Sequence, residues 1–161
     1  MPTITLYTEI NAPIEIVFDL SRSIDLHKIS TADTDEEAIE GVTSGLIGLN
    51  EFVTWRAKHF GVYQSLTSKI TEFTYPTFFV DEMTQGIFRN LRHEHIFSSS
   101  SSEQTMMKDV FTYTSPLGLL GKLADYLFLK KYLTKVLSQR NEVIKEFAES
   151  ERWREILSQD A

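Results

Sequence analysis

From residue 117 to residue 149 the chain reads as one uninterrupted helix, and no other segment is long enough to span a whole domain. Pro116 precedes it and no proline breaks it. From Tyr126 onward, Tyr126, Leu129, Leu133, Val136, Leu137, Val143, Ile144 and Phe147 fall on one helical stripe, with Lys131, Lys135, Ser138, Glu142, Lys145 and Glu149 opposite. That is the pattern of a helix laid on a core with its other face in water. At ~1.5 Å per residue it runs on the order of 45 to 50 Å, enough to cross a small β-sheet from edge to edge.

Two irregularities mark this helix. Leu119, Leu120, Leu123 and Leu127 lie on a different side from the later stripe, so residues 117–129 are apolar nearly all round and need a second apolar surface. Either the first turns are distorted, which Gly118 and Gly121 permit at little steric cost, or they border neighbouring loops, an apolar cavity or a membrane. Arg140 sits inside the apolar stripe, where an arginine is expected to meet a carboxylate or to snorkel outward along its stem.

The segments before the helix are mostly strands. Residues 3–10 alternate apolar and polar. Asn11 is the expected N-cap and Pro13 the first turn of one or two short helices reaching about Lys28, followed by a polar turn at 30–35 and a short strand at 36–40. Gly41, Gly45 and Gly48 mark residues 41–50 as an irregular crossing or a movable lid. Residues 51–60, 63–75, 77–83, 88–98 and 103–114 read as strands, separated by Gly61, Pro76, the Gln85-Gly86 turn and a serine run at 98–102 read as a hairpin turn. Short connections between successive strands imply an antiparallel meander.

With 161 residues and a net charge of -7, the chain is expected to form one domain, residues 1–149, with a C-terminal extension at 150–161. The negative charge disfavours nucleic acid and anionic lipid. Lys122, Lys130, Lys131 and Lys135 beside the apolar half of the helix are the local exception, and would allow a transient membrane contact or simply be solvated. The absence of cysteine excludes disulfides and thiolate chemistry. Residues 1–11 lack the pattern of a signal peptide and no apolar run is long enough to cross a bilayer, so a cytoplasmic location is the expectation.

The order and spacing of certain residues carry a resemblance. They are Ala12-Pro13 and Val17-Phe18, then Glu51 with residues 53–57 (Val-Thr-Trp-Arg-Ala), then His59-Phe60-Gly61, Phe79, Asp81, Gly86 and Phe88. His93-Glu94-His95 with Phe97, and Asp109, Tyr113, Pro116, Gly118 and Gly121, complete the set. In these the chain resembles the START and Bet v 1-like (SRPBCC) superfamily, and within it the bacterial ligand-binding proteins loosely described as cyclase- or dehydrase-like. The resemblance implies an α+β helix-grip fold: a curved seven-stranded antiparallel sheet, two short helices and one long C-terminal helix enclosing an apolar cavity. Across that superfamily such cavities serve lipids, sterols, polyketides and other hydrophobic compounds. No single activity is implied, because the fold hosts carriers, receptors, cyclases and chaperone regulators.

The period-2 rule shows which side chains share a strand face. Val53, Trp55, Ala57 and His59 point together, as do Leu91, His93, His95 and Phe97, and Met107, Asp109, Phe111 and Tyr113. The opposite faces carry Arg56, Lys58, Arg92, Glu94 and Lys108, so the mixed faces are expected inside. Buried imidazoles, carboxylate and phenol need hydrogen-bond partners there. His93 and His95, an H-x-H pair about 7 Å apart along a strand, could bind a metal with His59 and Asp109. A histidine polarised by Asp109 or Asp81, with Tyr113 as proton donor, could do acid–base catalysis of a cyclase or dehydratase type. The same groups could form a polar network at one end of an apolar pocket, or merely satisfy core hydrogen bonds.

The reading that needs fewest assumptions is non-catalytic binding of a small hydrophobic molecule, with no metal or cofactor. Trp55, Phe79, Phe97, Met107, Phe111, Leu123 and Leu127 would supply apolar walls, and His59, His93, His95 and Tyr113 polar contacts. The entrance is expected near the apolar half of the helix and the glycine loop. A lyase of the cyclase or dehydratase kind, and a protein-interaction module, remain as alternatives.

Overall fold

The structure is a computed structural model that describes residues 1–59, 61–116 and 118–158. Phe60 and Leu117, at the ends of a predicted strand and the predicted helix, lie outside the described residues, as do residues 159–161. Seven strands form one antiparallel sheet: β1 (Thr3–Ile10), β2 (Glu37–Gly41), β3 (Phe52–His59), β4 (Val62–Thr74), β5 (Phe78–Gln85), β6 (Asn90–Ser101) and β7 (Gln104–Thr114). Their order is β1-β7-β6-β5-β4-β3-β2, so the meander from β2 to β7 closes with the first strand beside the last. Alternation is strict where the sheet faces the core. Thr105, Met107, Asp109, Phe111 and Tyr113 of β7 are buried, as are Leu91, His93, His95 and Phe97 of β6. The serine run departs from expectation: its first residues extend β6 as an exposed strand end, and the turn shrinks to residues 102–103.

Two short helices, α1 (Ile14–Ser21) and α2 (Ile24–Ser30), cover one end of the sheet. Pro13, not Asn11, occupies the N-cap of α1, and it offers no side-chain cap. The Asn11 amide instead donates to Glu149 Oε2 at 2.8 Å, tying the start of α1 to the end of the long helix. α2 has a side-chain cap, Ser23 Oγ accepting from the Leu26 amide at 3.1 Å. The aromatic centre of the core is Phe18, whose ring meets Phe73, Phe79 and Phe97 edge-on with centroids 5.2–5.4 Å away.

The predicted single helix is three consecutive segments: α3 (Gly118–Ala124), a π-helical turn (Asp125–Leu129) and α4 (Lys130–Glu149). Backbone angles stay helical through both junctions. The wider π turn shifts the angular register, and this explains why the early leucines and the later stripe do not align. Leu137, Arg140, Asn141, Ile144, Phe147 and Ala148 form the buried face of α4. Leu119 and Leu120 are 84% and 70% exposed, and Leu123, Leu127 and Phe128 are exposed as well. Among the described residues, no helix is long and apolar enough to cross a membrane.

Residues 41–50 are tied down at several points. Gly45 O accepts from the Ile24 amide at 2.9 Å, the Gly45 amide donates to Asp25 Oδ2 at 2.9 Å, and Ile47 is buried in the core. Residues 41–50 therefore cross over α2 and are joined to it by these bonds. After α4, the chain turns and α5 (Trp153–Leu157) packs back on α1, burying Ile156 in the main core.

Candidate functional site

Between the sheet and α4 lies a cavity of about 230 Å³. It adjoins a second lobe of about 180 Å³ between β3, β4, the 87–88 turn and the start of α4, and the two share a wall of Trp55, His59, Leu66, Phe88 and Leu133. The second lobe is lined in part by Ile87, which is exposed, so it reaches the surface there. Ser21 at the end of α1 and Ile24 and His27 of α2 add to the wall of the first lobe.

The first lobe has one polar end, and four elements build it. β5 contributes Asp81, β6 contributes His93 and His95, β7 contributes Asp109, and α4 contributes Arg140 and Asn141. Antiparallel register aligns them: Asp81 pairs with His93, and His95 with Asp109, across adjacent strands. Asp109 is fully buried; its Oδ1 accepts from His93 Nε2 at 2.7 Å and from Arg140 Nη1 at 3.4 Å, and its Oδ2 from Asn141 Nδ2 at 2.7 Å. Asp81 Oδ2 accepts from His95 Nε2 at 2.7 Å. His95 Nδ1 lies between Arg140 Nη2, 3.4 Å away, and Asp109 Oδ1, 3.5 Å away. Arg140 also donates to Asn141 Oδ1 at 2.9 Å and to the Ser21 carbonyl at 3.1 Å. The two imidazoles lie 3.7 Å apart, and His95 stacks on Phe79 at 4.1 Å.

Ionisation follows from this packing. Burial lowers the His93 pKa to about 4, helped by neighbouring His95 and opposed by Asp109 and Asp81. Burial alone would raise both carboxyls. For Asp109 the hydrogen bonds from His93 and His95 and the nearby Arg140 outweigh it and hold the group well below the usual carboxylate range. For Asp81 the hydrogen bond from His95 and the charges around it do the same, to a lesser degree.

The predicted site residues divide into three groups. Trp55, His59, Phe79, His93, His95 and Phe111 line the cavity, and Asp109 anchors its polar end from behind. Phe97, Met107 and Tyr113 share the inward strand faces but are packed into the core, Tyr113 against Phe88 and Phe111, and they do not line either lobe. Shared sidedness fixes which face a residue lies on, not how deep in the sheet it sits. Leu123 and Leu127 are exposed instead of walling the cavity, on a different side of the helix from the later, buried stripe. For a metal, His59 does not join the histidine pair. It lies on β3, separated from β6 by two strands, and its Nδ1 meets the Tyr132 hydroxyl at 2.5 Å. Asp81 takes that place: its carboxylate and one nitrogen of each of His93 and His95 lie within 4.8 Å of one another.

Three contributors escaped the sequence reading. Asn141, next to Arg140 on the buried stripe, holds the second oxygen of Asp109. His27 and Glu36 pair at 2.8 Å beside the cavity, with the His27 ring 4.3 Å from Trp55. For Asn141 the signal was an amide adjacent to an arginine in an apolar stripe. His27 and Glu36 sit on elements whose mutual approach no local pattern encodes.

No protein-family profile matches the chain, and no curated protein does. Solved structures match along nearly its whole length. A protein from Thermus thermophilus superposes with a TM-score of 0.69 at 18% identity, covering 89% of this chain and 97% of that one. A START superfamily protein from Mycobacterium smegmatis gives 0.69 at 10% identity, covering 91% and 97%. The Zhui aromatase/cyclase from a Streptomyces species gives 0.62 at 13% identity, covering 98% and 97%. At such identities the likeness concerns architecture, and in architecture this chain has the START and Bet v 1-like helix-grip fold.

Proposed function

We propose that this protein binds and carries a small hydrophobic molecule in the space between the sheet and α4, without transforming it. The observation that carries the reading is the cavity itself, open between the sheet and α4 beside the main hydrophobic core. Each lobe alone is smaller than the ~300 to 1,000 Å³ usual for small-molecule sites, and the two together reach that range. Apolar side chains form much of the walls, and one cluster of polar groups, Asp81, His93, His95 and Arg140, could orient an amphiphile.

The cyclase or dehydratase alternative needs a group able to accept a proton near neutral pH. His93, with a pKa of about 4, and both carboxylates are weak bases there, which leaves His95 as the candidate base of that reading. Their hydrogen bonds run to one another and to Arg140 and Asn141, which makes them a cradle fixed at several points. Native mass spectrometry of freshly purified protein, followed by solvent extraction, tests the proposal. A co-purifying amphiphile at one equivalent is expected. If the protein carries no amphiphile and an apolar dye fails to change Trp55 fluorescence, the carrier reading falls.

A further inference from the structure

We infer that the polar end of the cavity selects ligands whose head group is a hydrogen-bond donor, a hydroxyl or amine, and rejects carboxylates. The inference rests on the cavity-binding function proposed above and concerns which chemical class that cavity takes.

The two arginines at the cavity wall are already engaged. Arg140 is the cation nearest this end, and its terminal nitrogens are engaged by protein acceptors: Asp109, Asn141, the Ser21 carbonyl and His95. Arg22, the other arginine on the wall, is held by Asp19 at 2.9 Å and by the Ile47 carbonyl at 3.2 Å. Neither cation is left over for an incoming anion. His93 and His95 direct their Nε2 protons onto carboxylates, His93 onto Asp109 and His95 onto Asp81.

One strong acceptor is left over. Asp81 is engaged through Oδ2 alone, by His95 at 2.7 Å and, at longer range, His93 at 3.9 Å. Its Oδ1 has no hydrogen-bond partner among the described residues, and it is not among their sealed, unsatisfied atoms. The side chain keeps 22% of its surface open while lining the cavity. A carboxylate oxygen facing an apolar chamber is satisfied by a donor and repelled by another carboxylate. Glu36, the second carboxylate on the wall, adds to the same bias. A fatty acid would place like charges together in low dielectric, whereas an alcohol or phenol of the same shape completes the network.

The test uses the neutral dye N-phenyl-1-naphthylamine with three competitors: 1-decanol, its isomer nonyl methyl ether, and decanoate. The alcohol and the ether have the same atomic composition and differ in the hydroxyl donor. 1-Decanol is expected to displace the dye at roughly tenfold lower concentration than the ether, the scale of one buried hydrogen bond left unmade. In Asp81→Asn, decanoate is expected to gain about tenfold while the ether stays within about twofold, because the amide removes the repelling charge. Ether equal to or better than alcohol in the wild-type protein overturns the inference and leaves the cavity reading standing. Unchanged decanoate affinity in folded Asp81→Asn, or a gain that appears in Glu36→Gln instead, also overturns it. The wild-type comparison decides even if Asp81→Asn does not fold. Zinc at one equivalent in purified protein, lost in Asp81→Asn, would put a cation where the donor belongs and overturn it too. If neither the dye nor 1-decanol binds, by fluorescence and by calorimetry, the cavity reading and this inference fall together.

Discussion

Arg140 was expected to meet a carboxylate or to snorkel outward; it meets a carboxylate, but which one was not legible. Asp109 lies 31 positions away in sequence, and only the docking of α4 on β7 brings them together. Within the site, His93 and His95 were readable as a pair from the period of a strand, and Asp109 as their neighbour face. Asp81 and Asp109 were both candidate partners, and which histidine each one meets depends on strand register, set by tertiary pairing. Removing one partner from such a buried group leaves charge without compensation. Asp109→Ala is expected to lose about 3 to 5 kcal/mol in urea unfolding, since Arg140, His93 and Asn141 would all lose an acceptor. The acid response follows from the same burial. His93 is neutral in the folded state, and its pKa there, about 4, lies below the ordinary 6.5, so below that value the unfolded chain binds the proton more tightly. Stability should be full above pH ~6.5, decline by up to ~1.4 kcal/mol per pH unit as pH falls towards 4, and then lose this contribution no further. Asp81 and Asp109, with folded values below 3.8, begin their own loss only in more acid solution. Urea midpoints across that range check the first phase, which His93→Gln should flatten.

At the level of elements, alternation marked β6 and β7 most plainly, since each has one face in the core and one towards water, and turn residues separated the other strands. Boundaries moved where that contrast ends, as in the serine run, whose residues are exposed whether they extend a strand or form a turn. The break between α3 and α4 was legible as a conflict between two apolar faces, with the π turn as one of several ways to resolve it. Glycine at position 41 has a definite reason. Its φ is +79°, and a Cβ there would stand 2.2 Å from the Phe52 carbonyl oxygen, inside the β2–β3 pairing. Gly41→Ala is expected to cost about 1 to 3 kcal/mol from backbone strain alone and to loosen β2, seen as a lower thermal midpoint and faster amide exchange over residues 37–41.

For the molecule as a whole, two substitutions separate the interior space from the exposed apolar helix. Leu133 borders both lobes, and Leu133→Trp should fill the passage between them, abolishing dye binding while the protein remains folded by circular dichroism. Leu119 and Leu120 contact mostly solvent, so Leu119→Gln with Leu120→Gln should leave the unfolding free energy within about 0.5 kcal/mol. Sequence by itself determined the class of fold, the order of elements and the sidedness of each strand, since these follow from local periodicity and from turns that need only a few neighbouring residues. It also singled out the amino acids from which a polar site could be made. Tertiary structure alone decided that Asp81 rather than His59 completes the histidine pair, that Tyr113 and Met107 are core, and that Leu123 faces outward. Those outcomes depend on strand register and on how α4 docks on the sheet, and both are set by the packing of surfaces distant in the chain, which no short window of residues contains.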